Sequence, residues 1–440
     1  MNLSMIKENE NSAVTVIPAR AIRGEIELPG DKSIAHRAAL FAALAVGESL
    51  IENFPPAEDP MTTIRCLAEL GIEYEHAGRT LWIESYGRYR FRQPRRLLDA
   101  RNSGTTMRLL SGILCGQSFP SEITGDESLL QRPMRRIIKP LRMMNARISG
   151  TRKGTAPLRI QGIKRSLKCI NYELPVASAQ VKTAILLAGL YASGTTTVIE
   201  SLPTRDHTER MLKLPSKTFG GRKYISINKS LEIPPFRMVI PGDPSTAAFF
   251  VVAALITSES QIFIRNVSLN PTRIAFLSVL ERMRANIEII NKHNADNEPV
   301  GDICVKSSDL RGCMVEGHEI PLIIDELPIL AVAGACAEGT FNVKNAEELR
   351  HKESDRIHSI VRNLSAMGIK VNEREDGFSV EGGKLQGGNS LDSFGDHRLA
   401  MASVIAGLAA DREITVKNMN AASVSFPGFL DTIKSITHNN

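Results

Sequence analysis

The sequence predicts an α/β (α+β) protein in two pseudo-equivalent halves, each made of three copies of one mixed strand-and-helix unit. One phrase recurs six times along the 440 residues: a small, apolar helical stretch, then a Gly, Ser or Asp turn, then a short β-branched strand. Its turns fall at Gly47, Gly116, Gly194, Ser258, Gly339 and Asp411, spaced by 69, 78, 64, 81 and 72 residues, a mean of about 73 that divides the chain into six. A second self-similarity, PGDxSxA, occurs from Pro29 and again from Pro241, 212 residues or about three repeats apart.

The copies begin at Ala39, Leu109, Ala184, Phe249, Leu330 and Met401, and the first helix of each is almost uniformly Ala, Leu, Ile and Val. A helix apolar all round is a buried helix, so these six are expected to lie near the axis of each half. An amphipathic helix with apolar residues at i, i+3 and i+4, ending in a small residue and another strand, follows in the segments 64–75, 137–149, 276–290 and 357–371. The stretch after His207 fits less well because Pro215 interrupts it. In the sixth copy the second helix is FLDTIKSI, after which no closing strand remains, so AVTVIP at 13–18 is expected to supply it. The expected domains are 29–240, and 1–28 plus 241–440 closed by that N-terminal strand. A cleft between halves is a favoured place for a ligand.

Composition narrows the class. With 42% hydrophobic and 23% charged residues the chain is globular, and its length allows two to four domains. A net charge of +6 is too thin for a polycation but suits local pockets for small anions. The 15 Phe, 6 Tyr and 1 Trp form no basic run interleaved with aromatics, which argues against nucleic acid. Six cysteines without a CxxC pair and nine scattered histidines give no metal spacing and read as reduced thiols. The N-terminus lacks a leader-like apolar run, and AAFFVVAALI at 247–256 is about half a membrane span. A cytoplasmic, soluble monomer with no membrane partner is expected. Neither GxxxxGK[ST] nor GxGxxG is present, so no nucleotide cofactor is implied.

The chemistry is expected just before the buried helices, where unpaired N–H groups favour anions. Lys32, Ser33 and Arg37 in GDKSIAHR form one such start, and Asn102, Ser103, Gly104, Thr105 and Arg108 in RNSGTTMR another. Arg132 precedes a proline in SLLQRPM, which places it in a loop. SAQVKTA offers Ser178, Gln180 and Lys182, and TRDHTER offers Arg205 and Arg210. RHKESDR at 350–356 and GDHRLAMA at 395–402 add Lys352, Arg356 and Arg398. Each alone reads equally as a helix cap with solvated charges. Their recurrence at one phase of the repeat instead suits two polyanionic substrates whose repulsion must be cancelled. Asp325, read as lying where the apolar strand IID meets a buried helix, and Glu353, between Lys352 and Arg356, are the acid–base candidates, with His207 and His397 as further bases.

These motifs resemble those of the 5-enolpyruvylshikimate-3-phosphate (EPSP) synthase family, in the family's order from about Pro29 to Pro427. The resemblance implies two domains of three βαβαββ units around buried helices, an inverse α/β barrel. It implies transfer of the enolpyruvyl group of phosphoenolpyruvate to the 5-hydroxyl of shikimate 3-phosphate through a tetrahedral ketal, without a metal or other cofactor. It assigns Ser33, Arg37, Ser178, Arg205 and Lys352 to shikimate 3-phosphate, with Asp325 on the ring hydroxyls and Gln180 between the substrates. Lys32, Asn102, Gly104, Arg132, Arg356 and Arg398 fall to phosphoenolpyruvate. Asp325 and Glu353, assisted by Lys32, are the proton-transfer residues, their individual roles left open. A C-terminal lysine of some members is Val424 here, with Lys417 as a substitute. Gly104 leaves room for the inhibitor glyphosate, while SAQVK and SLLQRPM resemble a branch that includes less sensitive enzymes. The alternatives are a UDP-N-acetylglucosamine carboxyvinyltransferase of the same fold, which uses a reactive loop cysteine, and a non-catalytic anion-binding protein.

Overall fold

The computed structural model of the chain describes residues 6–8 and 12–438; part of the N-terminal stretch read for a leader lies outside them. The chain divides into two compact units. The first comprises Gly30–Ile240 with Ala295–Glu298, and the second the chain up to Pro29, Pro241–Asn294 and the chain from Pro299 onward. Pro29 and Ala295–Glu298 thus fall on the other side of the boundaries expected from the sequence.

One sheet pattern occurs six times. In Leu98–Asp99, Ser121–Thr124, Leu158–Gln161 and Arg147–Ser149, neighbours in that order, the first pair is parallel and the others antiparallel. In chain order this is a βαβαββ unit, with the buried helix Gly104–Leu114 after the first strand and the amphipathic helix Arg135–Met143 after the second. The sheets containing Thr196–Glu200 and Thr340–Val343 repeat it. In the last sheet Ser390–Asp392 and Ile414–Lys417 pair in parallel, and Val14–Val16 and Ile6–Glu8 take the two remaining places. The N-terminal hairpin therefore sits where the sixth copy has no strand of its own. Thr437–His438 adds a short edge to Ala21–Glu27 instead.

The first strand of each unit's first sheet is borrowed in sequence. Val46–Glu52 pairs in parallel with Arg237–Val239, and Gln261–Ser268 with Ala21–Glu27, so the strand before each PGDxSxA segment belongs to the unit that the following helix leaves. Gly30 is needed at the first switch because an added Cβ would lie 2.2 Å from the Asn53 carbonyl oxygen.

Each unit has its own apolar core. The helix Gly104–Leu114 packs on Lys32–Leu44 and on Ala179–Gly189 in the first unit; Pro244–Ile256, Leu327–Ala335 and His397–Leu408 pack on one another in the second. In Pro244–Ile256 and Leu327–Ala335 nearly all the side chains are buried on every face, which explains why no amphipathic stripe runs through them. Each such Leu or Phe contributes roughly 1.5–3 kcal/mol of transfer free energy, the force that keeps the polar helix starts in register.

Candidate functional site

In the first unit the chemistry gathers at two helix starts. Ser103 caps Gly104–Leu114, its Oγ accepting from Thr106 N at 3.1 Å. Asn102 Oδ1 accepts from Arg132 Nη2 at 2.7 Å, and Asn102 Nδ2 donates to Asp126 Oδ2 at 2.7 Å. Arg132 ends the short helix Glu127–Gln131 in extended backbone, as the following proline demands. A Cβ on Gly104 would lie 2.7 Å from Arg108 Nη1 and 3.6 Å from Arg132 Nη1, so glycine is what lets two guanidinium groups close over this helix N-terminus. Gln180 ties the neighbouring helix in, accepting from Arg108 Nη1 at 2.5 Å and donating to Thr105 Oγ1 at 2.9 Å. Asn102, Gly104, Arg132 and Gln180 are thus one connected group.

The second cluster lies at Lys32–Leu44, capped by Asp31. Ser33 Oγ accepts from Arg205 Nη1 at 3.3 Å. Arg37 is buried and donates to Thr208 Oγ1 at 2.8 Å, Thr183 Oγ1 at 3.1 Å and Ser33 O at 2.9 Å, so much of its guanidinium is spent on holding the cluster. Lys32 Nζ pairs with Asp59 Oδ2 at 2.9 Å, a partner with no sequence signal beyond its charge. Ser178 caps Ala179–Gly189.

Lys182 departs from the expectation. It points inward, fully buried, with Nζ 3.0 Å from the Glu200 carboxylate and 2.7 Å from Glu209 Oε1. Thr204 donates to Glu200 Oε1. It therefore pins the segment that carries Arg205 and offers no charge to an outside anion. His207 is likewise consumed, with Nδ1 2.7 Å from Glu298 Oε1, and Arg210 donates to Asp206 Oδ1 at 2.8 Å.

Under the first cluster runs a buried polar chain: His36 Nδ1 to Thr63 Oγ1 at 2.7 Å, Thr63 Oγ1 to Thr106 Oγ1 at 2.7 Å, and Thr106 Oγ1 to Ser103 Oγ at 2.8 Å. Burial pushes the His36 imidazole down to about 3 from an ordinary 6.5. Between those values the unfolded chain binds one more proton than the folded one, so stability is full above pH 6.5 and falls as pH drops toward 3. Urea unfolding of His36→Gln is expected to show a shallower loss in that window; a slope equal to wild type would exclude His36 as its source.

In the second unit the cations face carboxylates. Asp325 Oδ1 lies 3.3 Å from Lys352 Nζ and 3.4 Å from Arg356 Nη1, and Oδ2 lies 3.9 Å from Arg398 Nη2. Glu353 Oε2 accepts from Arg356 Nη2 at 2.7 Å. Arg356 is 1% exposed; burial alone would weaken its hold on the proton, but Asp396, Glu353 and Asp325 raise it well above the usual arginine range. Asp396, fully buried, accepts from Arg356 Nε at 2.7 Å and from the Arg398 backbone N–H at 2.9 Å, capping His397–Leu408. His397 opens that helix and is buried. Asp325, Lys352, Glu353, Arg356 and Arg398 are therefore one connected set.

One expectation is corrected here: the residues before Asp325 form no strand. Ile320–Ile323 is a helical turn with Pro321 at its start, preceded by a capping box between Glu316 and Glu319. Lys352 and Glu353 stand in the loop before Arg356–Ala366, which Asp355 caps. Glu326 and Arg273, like Asp59, were not singled out from the sequence, yet both are buried against this set's framework.

The six cysteines are free; burial pushes the thiols of Cys66 and Cys336 up to about 12 and that of Cys115 further, so these three are poor nucleophiles. Among the described residues no helix is long and apolar enough to cross a membrane.

A family model described as EPSP synthase (3-phosphoshikimate 1-carboxyvinyltransferase) matches residues 16–433. The chain belongs to the EPSP synthase family. A relative from Salinibacter ruber named 3-phosphoshikimate 1-carboxyvinyltransferase is 48% identical over 429 residues, covering 96% of this chain and 99% of its own. One of the same name from Petrotoga mobilis is 47% identical over 430 residues, with coverages of 96% and 99%. The solved EPSP synthase of Acinetobacter baumannii superposes with a TM-score of 0.87 at 41% identity, covering 97% and 98% of the two chains. The enolpyruvyl transferase NikO of Streptomyces tendae, at 16% identity and a TM-score of 0.75 over 96% of each chain, shares the fold. The two-domain enolpyruvyl transferase fold that the family resemblance implied is the one present.

Proposed function

We propose that this chain transfers the enolpyruvyl group of phosphoenolpyruvate to the 5-hydroxyl of shikimate 3-phosphate, releasing phosphate on the route to chorismate and the aromatic amino acids. The observation that carries this reading is that one unit has guanidinium-lined helix starts and the other has carboxylates set among three cations, in a member of the EPSP synthase family. Cations neutralise two polyanions that would otherwise repel, and the carboxylates move protons.

Addition forms a bond from O5 to C2 of phosphoenolpyruvate while the methylene carbon gains a proton and the hydroxyl loses one. Elimination then breaks the C2–O bond to phosphate and returns a proton from the methyl carbon, so the hydroxyl proton leaves with the phosphate. Ser33, Arg37, Ser178, Arg205 and Lys352 hold shikimate 3-phosphate, Arg37 chiefly by fixing Ser33 and Thr208. Gln180 touches both substrates. Lys32, Asn102, Gly104, Arg132, Arg356 and Arg398 bind phosphoenolpyruvate. Asp325 and Glu353 transfer the protons, with Lys32 assisting. The chain works as a cytoplasmic monomer on these small molecules, without nucleic acid or membrane.

The test is release of phosphate from phosphoenolpyruvate with either shikimate 3-phosphate or UDP-N-acetylglucosamine. Release with the first alone is expected, and its absence would overturn the reading.

A further inference from the structure

The two PGDxSxA starts have opposite surroundings. In the first unit Lys32 follows the cap Asp31, and Ser33 Oγ takes a hydrogen bond from Arg205 at 3.3 Å. In the second unit Pro244 stands in place of the lysine. Ser245 Oγ donates to Glu326 Oε1 at 2.5 Å and accepts from Arg273 Nη2 at 2.9 Å, and Arg273 Nη2 also donates to Asp243 Oδ1 at 2.9 Å. Asp243, Ser245, Arg273 and Glu326 are all buried, Glu326 to 2% exposure. The chain's own carboxylate fills this start.

Glu326 Oε1 has a second partner. Arg398 Nη1 lies 3.4 Å from it and also donates to the Asp325 backbone oxygen at 2.7 Å. Hydrogen bonds at its inner edge thus hold the Arg398 guanidinium, whose side chain is 10% exposed, while Nη2 lies 3.9 Å from Asp325 Oδ2.

We infer that Glu326 is a positioning residue that fixes the guanidinium of Arg398 for phosphoenolpyruvate, and that Ser245 and Arg273 fix Glu326 in turn. This rests on the assignment of Arg398 to phosphoenolpyruvate made above. Ordering a free arginine costs rotamer entropy, and a guanidinium already held spends none of the ligand's binding energy on that. One oxygen, Oε1, meets both Ser245 and Arg398, so reach matters more than charge. Glutamine can place an amide oxygen there. Aspartate keeps the charge but falls short by about 1.5 Å, one carbon–carbon bond.

Steady-state kinetics on purified Glu326→Gln, Glu326→Asp, Glu326→Ala and Ser245→Ala test the inference, with thermal melts of each and Arg398→Lys as the control. The Asp, Ala and Ser245 variants are expected to raise KM for phosphoenolpyruvate about tenfold, with kcat changed less and KM for shikimate 3-phosphate within about twofold. Glu326→Gln is expected to stay within about threefold of wild type. The inference is overturned by an inverted order, with Asp tolerated and Gln not, or by losses in kcat and melting temperature without the KM split. If Arg398→Lys leaves KM for phosphoenolpyruvate unchanged, the assignment of Arg398 fails and the inference with it. If Arg398→Lys raises that KM and Glu326→Asp does not, the positioning role alone falls.

Discussion

Asp325→Asn is expected to slow turnover by about 10²–10⁴-fold, the range that a positioned acid or base supplies, while substrate binding weakens by about tenfold or less. The substitution keeps the shape and the acceptor oxygen that faces Lys352 and Arg356 at 3.3 and 3.4 Å, but the amide does not take up a proton. Glu353→Gln is expected to act in the same direction, because Glu353 is held on Arg356 at 2.7 Å and is the other carboxylate of the set. Single-turnover rates and equilibrium binding of shikimate 3-phosphate separate the two effects. Full turnover in either variant would remove that residue from proton transfer.

Lys182→Met is expected to lower the unfolding free energy by about 3–5 kcal/mol, the cost of stripping the partner from a buried charge. Methionine fills the space of the stem but leaves Glu200 and Glu209, 3% and 6% exposed, without the ammonium that lies within 3.0 Å of both. Burial already raises the Glu200 carboxyl above its usual range, against the pull of Lys182, so loss of the cation pushes it further up. The triple variant Lys182→Met, Glu200→Gln, Glu209→Gln is expected to recover part of the loss, since no unpaired charge is left. Urea denaturation measures both. A single variant within about 1 kcal/mol of wild type would mean that the triad does not hold the segment around Arg205.

How much of the site was legible follows from how local each signal is. Asp31, Ser103, Ser178, Asp355 and Asp396 are caps, and a cap is decided within three residues by an oxygen and an N–H group, so those helix starts could be placed from the sequence. Arg132 was legible for the same reason, through the proline after it. The segment before Asp325 was not, because a short apolar run fits a strand or a helical turn equally, and Pro321 with the Glu316–Glu319 box decided for the turn. Lys182 was misjudged because its neighbours in sequence are small and polar, whereas its partners Glu200 and Glu209 arrive 18 and 27 residues later.

What the sequence by itself determined was the repeat, its six buried helices, the caps that open them and the basic residues placed there, since periodicity and capping depend on neighbours along the chain. The near-neutral balance of +6 also had its meaning in that placement. Only the tertiary structure decided which of those charges stay available. Lys182 is taken by two carboxylates, the PGDPS start is closed by Glu326, and much of Arg37 goes to holding Thr183 and Thr208. A buried charge must find a partner wherever the fold brings one, and no local pattern records which distant carboxylate that is.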